Sequence, residues 1–186
     1  MSRNNIIGFP LRGSRIHEVC GPAAPFFAVI AAELTRASAL WVRENWLSDT
    51  LCPAGFASFL DPSRLLLART GSQAETLGVA EEALRSRAMP FVMIEIHRPL
   101  TLKEGQRLQL AARTGSSIGL CILPEGMGSN SAETRWRVIP VFDRQREDST
   151  LMRWEIIKNK TGTLGAWNVQ WDPKTRHLHV VSSPGK

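Results

Sequence analysis

The chain has 186 residues, 43% hydrophobic and 22% charged, which is single-domain length and ordinary globular composition and excludes a disordered polymer. Its net charge of +6 favours anionic partners without locating a site, and the excess is concentrated late, with ten Lys or Arg against six acids over residues 130–186. No run approaches the ~18 apolar residues that span a bilayer, and Met1–Asn5 carries no apolar stretch behind its charge, so neither a membrane span nor a signal peptide is expected. Cys20, Cys52 and Cys121 are odd in number and form no C-x-x-C pair, which fits reduced thiols and a cytoplasmic location.

Residues 1–14 read as a flexible N-terminal segment, 15–182 as a single domain and 183–186 as a flexible tail. Within the domain, short apolar runs alternate with helical patterns, the mark of a βαβ series. Ile16–Cys20 reads as a strand entering the turn Gly21-Pro22, and Ala23–Ala37 as a helix with Phe26, Phe27, Ile30 and Leu34 toward the core. Ala39–Arg43 is a second strand. The stretch from Trp46 to Pro62, broken by Pro53 and Gly55, reads as irregular or briefly helical. Leu65–Ala68 is a third strand, and Ser72 with Glu75 three residues on forms a capping box opening a helix whose Leu77, Ala80 and Leu84 make one apolar stripe.

Phe91–Ile96 is nearly continuous apolar sequence, as in a strand buried on both faces. Thr101 and Glu104 repeat the capping box before a helix carrying Leu108, Ala111 and Ala112, and Ile118–Leu123 is a fifth strand. Residues 124–132 form a loop by composition. Beyond it, Arg135–Val141, Met152–Lys158, Ala166–Trp171 and Leu178–Val181 read as antiparallel strands added to the parallel set. The fold class expected is therefore α/β, a mixed sheet of parallel strands plus C-terminal antiparallel strands, flanked by helices.

Several stretches, in order, resemble the RecA-type recombinase core. His17-Glu18-Val19-Cys20-Gly21-Pro22 resembles the strand leading into the phosphate loop, and Ala39–Trp46 the second strand with its catalytic acid. Leu65–Arg87 resembles the strand and helix that follow, Phe91–Glu95 the strand bearing the magnesium-associated acid, and Ile156-Ile-Lys158-Asn-Lys160 the Lys-Asn-Lys strand end. A narrower set resembles ImuA-type proteins, RecA-related accessory factors of error-prone DNA synthesis. It comprises Arg15-Ile-His-Glu-Val, Ala80-Glu-Glu-Ala-Leu-Arg-Ser, Arg107-Leu-Gln-Leu-Ala-Ala, Glu133-Thr-Arg-Trp-Arg-Val and Trp167-Asn-Val-Gln-Trp-Asp. No single motif is specific; their order and spacing are. The resemblance runs from about residue 11 to the end and implies a RecA-like core.

A working phosphate loop, G-x-x-x-x-G-K-[ST], needs glycines that turn amides toward phosphate, a lysine for its charge and a hydroxyl for Mg²⁺. Here the stretch is Gly21-Pro22-Ala23-Ala24-Pro25-Phe26-Phe27-Ala28: Phe26 replaces the second glycine, Phe27 the lysine and Ala28 the hydroxyl, and Pro25 removes an amide donor. Tight ATP binding is not expected there. Glu95 stands where the family's metal-associated acid would be, against the plainer reading of a carboxylate paired to Arg98 or solvated. The catalytic acid would fall on Glu44 or Asn45. No catalytic residue, metal site or cofactor is expected.

Lys158 and Lys160, two apart on a strand, share a face. The resemblance implies that they meet a nucleotide across a subunit interface; with the loop lost, they are candidates for acidic residues of a partner or for DNA phosphates, or are simply a solvated strand end. Arg135 and Arg137 alternate onto the face opposite Trp136 and Val138, so the arginines are candidate phosphate contacts and Trp136 is core. Core or partner packing is equally the expectation for Trp154, Trp167 and Trp171. His177 and His179 share a strand face without a third ligand, and His17-Glu18 is not H-E-x-x-H.

Both recombinase DNA loops are reduced. His97-Arg-Pro-Leu100 runs directly into the capped helix, and residues 124–132 carry no Lys or Arg. The short segment before the first strand leaves no room for the polymerisation helix of recombinases. The expectation is a non-enzymatic adaptor of SOS-induced translesion synthesis. The resemblance implies an ImuB-type Y-family-like partner and an error-prone DNA polymerase, with RecA as a further candidate and weak DNA binding open. The alternatives are a DNA-binding module using the basic C-terminal region and a cryptic ATPase.

Overall fold

The computed structural model describes residues 6–142 and 150–182; residues 1–5 and the tail at 183–186 lie outside that range. Among the described residues nine strands form one sheet: β1 (Arg15–Cys20), β2 (Ala39–Glu44), β3 (Leu65–Thr70), β4 (Phe91–Glu95), β5 (Ile118–Ile122), β6 (Thr134–Pro140), β7 (Met152–Asn159), β8 (Gly165–Asp172) and β9 (His177–Ser182). Their order across the sheet is β3-β2-β4-β5-β1-β6-β7-β8-β9. The helices are α1 (Ala24–Thr35), the one-turn α2 (Pro53–Phe56), α3 (Gln73–Arg85) and α4 (Leu102–Gly115). This is an α/β mixed sheet of RecA-like organisation.

One expectation changes. β6 pairs parallel to β1, and the reversal to antiparallel comes only at β7. Six strands are therefore parallel, and the chain must cross from the end of β5 to the start of β6. Parallel strands of one sheet, here β5 and β6 on either side of β1, are normally joined through a helix that satisfies its own backbone. Here residues 123–133 make the crossing as an irregular loop with Ser129, Ser131 and Ala132 buried. Its polar backbone groups must find partners elsewhere, and those partners turn out to be the charged residues the sequence singled out.

The two faces carry separate cores. α3 and α4 cover one, packing Ala80, Leu84, Leu108, Ala111 and Ala112 on Ile16, Val42, Val92 and Ile94. Their starts follow the caps read from sequence. The hydroxyl of Thr101 accepts from the Glu104 amide while Glu104 reaches back to the Thr101 amide, a complete box. At α3, Ser72 caps Glu75, but the Glu75 carboxylate takes the amide of Gly71 rather than that of Ser72. Gly105 lets α4 approach the crossing loop: a Cβ there would sit 2.7 Å from the Ser129 hydroxyl.

On the other face, α1 packs against an aromatic core. Trp136, Trp154, Trp167 and Trp171 are all buried there with Met152, Val138 and Val169, as strand alternation required. The expected flexible segment is corrected over residues 6–14, since Ile6, Phe9 and Leu11 are buried in this core. The Phe9 ring meets Phe27, Trp136 and Trp154 edge-on at 5.6, 6.3 and 4.9 Å between centroids. Three apolar residues spaced irregularly over six positions carry no helix or strand period, so the pattern could not show their burial.

Candidate functional site

β1 ends at Cys20 and α1 begins at Ala24, so the wide loop of a phosphate cradle is replaced by a tight turn. Gly21 makes that turn at φ +95°, a conformation favouring glycine, and a Cβ there would lie 2.5 Å from the Val138 carbonyl oxygen. The same carbonyl accepts the amide of Ala23 at 3.1 Å, and the amide of Ala24 donates to the Gly21 carbonyl. Pro22 and Pro25 have no amide hydrogen. Amides that would face a phosphate are thus committed to strand β6 and to the turn itself.

The replaced positions divide. Phe27 is fully buried between Trp136 and Trp154, at centroid distances of 5.5 and 4.5 Å, and Ala28 is buried beside it. Phe26, expected on the core side, is instead 41% exposed and leans on Phe59; Leu34 is likewise on the outer side of α1. The helix turns about 100° per residue, so two adjacent phenylalanines cannot both face the sheet. The lysine position has become core and the glycine position a surface ring.

A cleft of about 330 Å³ remains over the turn, lined in part by Gly21, Pro22, Trp41, Arg43, Glu95 and His97. Glu95 does not hold Arg98. Its Oε1 accepts from Trp41 Nε1 at 2.7 Å, and its Oε2 lies 3.3 Å from the Arg43 guanidinium and 3.7 Å from His97 Nε2. Register explains the swap: Trp41 and Arg43 lie on β2 beside β4, whereas Arg98 is past the strand end, its backbone held by Gln73. Glu44 accepts from Trp46 Nε1 at 2.7 Å, which occupies one oxygen of that carboxylate. Among the described residues no cluster of three or more His, Cys, Asp or Glu could hold a metal ion.

The four candidate cations are brought together only in part. Arg135 donates from Nε to Glu18 Oε2 at 2.7 Å and from its terminal nitrogen to the Ser129 carbonyl. Lys158 Nζ donates to that carbonyl at 2.7 Å, and Lys160 Nζ to the Ser131 carbonyl at 2.8 Å. Burial pushes the Lys158 ammonium pKa below its ordinary value, with Glu18 opposing. Arg137 stands apart, exposed and paired across the strands with Glu155 at 2.6 Å. Three of the four cations therefore hold the crossing loop, and Arg135 is an internal ion-pair partner rather than an open phosphate contact.

The loop's anchor is Glu18, fully buried at the centre of β1. Its Oε1 accepts the Ser129 amide at 2.7 Å while its Oε2 holds Arg135. One carboxylate and three cations, bonded to two carbonyls and one amide of the loop, stand in for the missing crossover helix.

No protein-family model matches the chain. It is 26% identical to Protein ImuA of Caulobacter vibrioides strain NA1000 / CB15N over 193 aligned residues, which cover 88% of this chain and 76% of that protein. The same values hold for Protein ImuA of strain ATCC 19089 / CIP 103742 / CB 15. The chain is ImuA-like.

The sequence passed over Glu18 and Ser129. A carboxylate in an otherwise apolar strand demands a partner once buried, and Glu18 between Val19 and Ile16 is that signal. Its neighbour His17 is buried on the opposite face. Nε2 meets the Arg12 carbonyl at 2.9 Å, so Nε2 carries the hydrogen and Nδ1 accepts from the Thr134 hydroxyl at 2.7 Å. Thr134 in turn accepts from Trp136 Nε1.

Burial holds the His17 pKa down to about 4. The unfolded chain takes up this proton first as the pH falls, so stability is complete above about pH 6.5 and declines toward pH 4 by about 1.4 kcal/mol per unit. Urea unfolding at pH 7 and pH 5 should differ by about 2 kcal/mol from this residue. A His17→Gln chain with an unchanged difference would assign the loss to other groups.

Among the described residues, no helix is long and apolar enough to cross a membrane.

Proposed function

We propose that this chain is a non-catalytic RecA-like accessory protein of SOS-induced, error-prone translesion DNA synthesis. It works through contacts with an ImuB-type Y-family-like protein and an error-prone DNA polymerase, with RecA as a further candidate. The observation that carries the non-catalytic reading is the turn at Gly21: the Ala23 amide is spent on Val138 and the lysine position is a buried phenylalanine. The likeness to Protein ImuA supports the setting. Nothing about the four cations favours the DNA-binding alternative, since three are engaged by the chain's own loop.

Two measurements test this. Titration with a fluorescent ATP analogue, with and without Mg²⁺, is expected to show no saturable binding up to on the order of 1 mM, the affinity of a few weak contacts. Saturation in the micromolar range, lost in Glu95→Ala, would establish an ATP site and end the non-catalytic reading. Size-exclusion chromatography with a purified ImuB-type protein is expected to give co-elution at micromolar concentrations. Separate elution at those concentrations would remove the adaptor role.

A further inference from the structure

A second groove lies away from the closed turn, between the outer face of α4 and the end of the crossing loop. Its volume is about 530 Å³. One wall is a helix face that nothing covers: Leu102 and Leu110 are 60% and 61% exposed, with Gln106 between them and Arg113 one turn beyond. Leucines eight residues apart on a helix stand about 12 Å apart along its axis. Both leucines line one groove, so the helix offers two separate apolar anchor points to a single occupant.

Cations line both walls, Arg113 on α4 and Arg15 and Lys160 across from it. Arg15, Arg113 and Lys160 line the groove, and the carboxylate among them, Glu133, is already shared by Arg12 and Arg15 at 3.2 and 3.4 Å. Among the described residues, neither Arg113 nor Lys160 has a carboxylate partner. Lys160 is fixed in position by its bond to the Ser131 carbonyl, so the charge is held at the rim instead of sweeping through solvent. Two apolar anchor points edged by cations are complementary to an amphipathic helix with apolar anchors and acidic flanks, the helix-in-groove mode.

We propose that the α4 groove docks an acidic amphipathic helical segment of a protein partner, its apolar anchors against Leu102 and Leu110 and its carboxylates toward Arg113 and Lys160. This rests on the adaptor reading only in taking the partner to be a protein. The wall from Leu102 to Arg113 is about 18 Å long and matches a segment of roughly 12 residues.

The test uses the full chain and a labelled 18-residue helical probe with leucines at i, i+4 and i+8 and glutamates on both flanks, followed by fluorescence polarisation. Binding in the tens of micromolar is expected, weakened about tenfold or more by Leu110→Glu. A probe with lysines in place of the glutamates should bind about tenfold more weakly to the unaltered chain and regain affinity for Arg113→Glu. Leu110 and Arg113 are exposed, so both variants should retain the native circular dichroism spectrum.

Several results would overturn the proposal: no binding at on the order of 500 μM probe, equal binding of the two probes, or indifference to Leu110→Glu. Displacement of the probe by a single-stranded oligonucleotide would assign the groove to nucleic acid. Self-association abolished by Leu110→Glu would assign it to a second copy. A silent groove with nucleotide still unbound removes this proposal alone, whereas saturable nucleotide binding removes the non-catalytic reading alone.

Discussion

Phe27→Ala is expected to destabilise the chain by about 3–5 kcal/mol, the cost of emptying a large aromatic from a packed core. Urea unfolding followed by tryptophan fluorescence measures it directly, because Trp136 and Trp154 flank the ring. With total stabilities of about 5–15 kcal/mol usual for a domain, such a loss leaves little margin. The substitution that would return the family's residue, Phe27→Lys, should be worse still, since it buries an ammonium among Phe9, Trp136 and Trp154 with no acid beside it. A loss under about 1 kcal/mol for Phe27→Ala, the size of an ordinary surface change, would mean that this position is not core. The conversion of the loop into packing would then fail with it.

The asymmetry between these substitutions explains why the phosphate loop cannot be recovered one residue at a time. Phe27 is covered by β6, the last parallel strand, through Trp136 and by β7, the first antiparallel one, through Trp154. The Ala23 amide is bonded to β6 as well. Reopening the cradle would therefore require moving the C-terminal sheet, not restoring a motif.

Elements with a period were legible in the sequence. β4 has four apolar residues in a row before Glu95 and is buried along its whole length. The Thr101/Glu104 cap sits at the start of α4. The tryptophans follow strand alternation into the core. Local chemistry was enough in each case, because period and cap are written in neighbouring residues.

What escaped were pairings across long sequence distances. Alternation gives a strand's faces but not its neighbour, so β6 was assigned among the antiparallel strands although it lies parallel to β1. The same limit misplaced the cations. Arg135, Lys158 and Lys160 looked available because their partners are backbone carbonyls at Ser129 and Ser131, which leave no mark in side-chain sequence. Glu95 was matched with Arg98 by proximity in sequence, whereas its ligands come from β2, more than fifty residues earlier. At the closed turn, by contrast, the residue types alone carried the expectation, since no arrangement of Phe26, Phe27 and Ala28 can replace a lysine and a hydroxyl.

Arg135→Met should destabilise by about 3–5 kcal/mol, because it strands the Glu18 carboxylate in the interior with only the Ser129 amide for company. The double variant Glu18→Gln/Arg135→Met should recover a substantial part of that loss, since no charge is then buried alone. Hydrogen exchange separates this from simple core damage. Residues 124–132 should lose protection first in Arg135→Met, while α1, on the opposite face, and β4, two strands from β1, keep theirs until global unfolding. Equal losses for the single and double variants would mean that packing, not charge, dominates the site. If the ion pair does hold the loop, it also sets the groove beside α4, because Lys158 and Lys160 grip the same segment and Ser131 lies in that wall. Arg135→Met should then weaken capture of the acidic helical probe without altering Leu102, Leu110 or Arg113. The residues resembling the recombinase's nucleotide-sensing strand would thereby act here by shaping a surface from within.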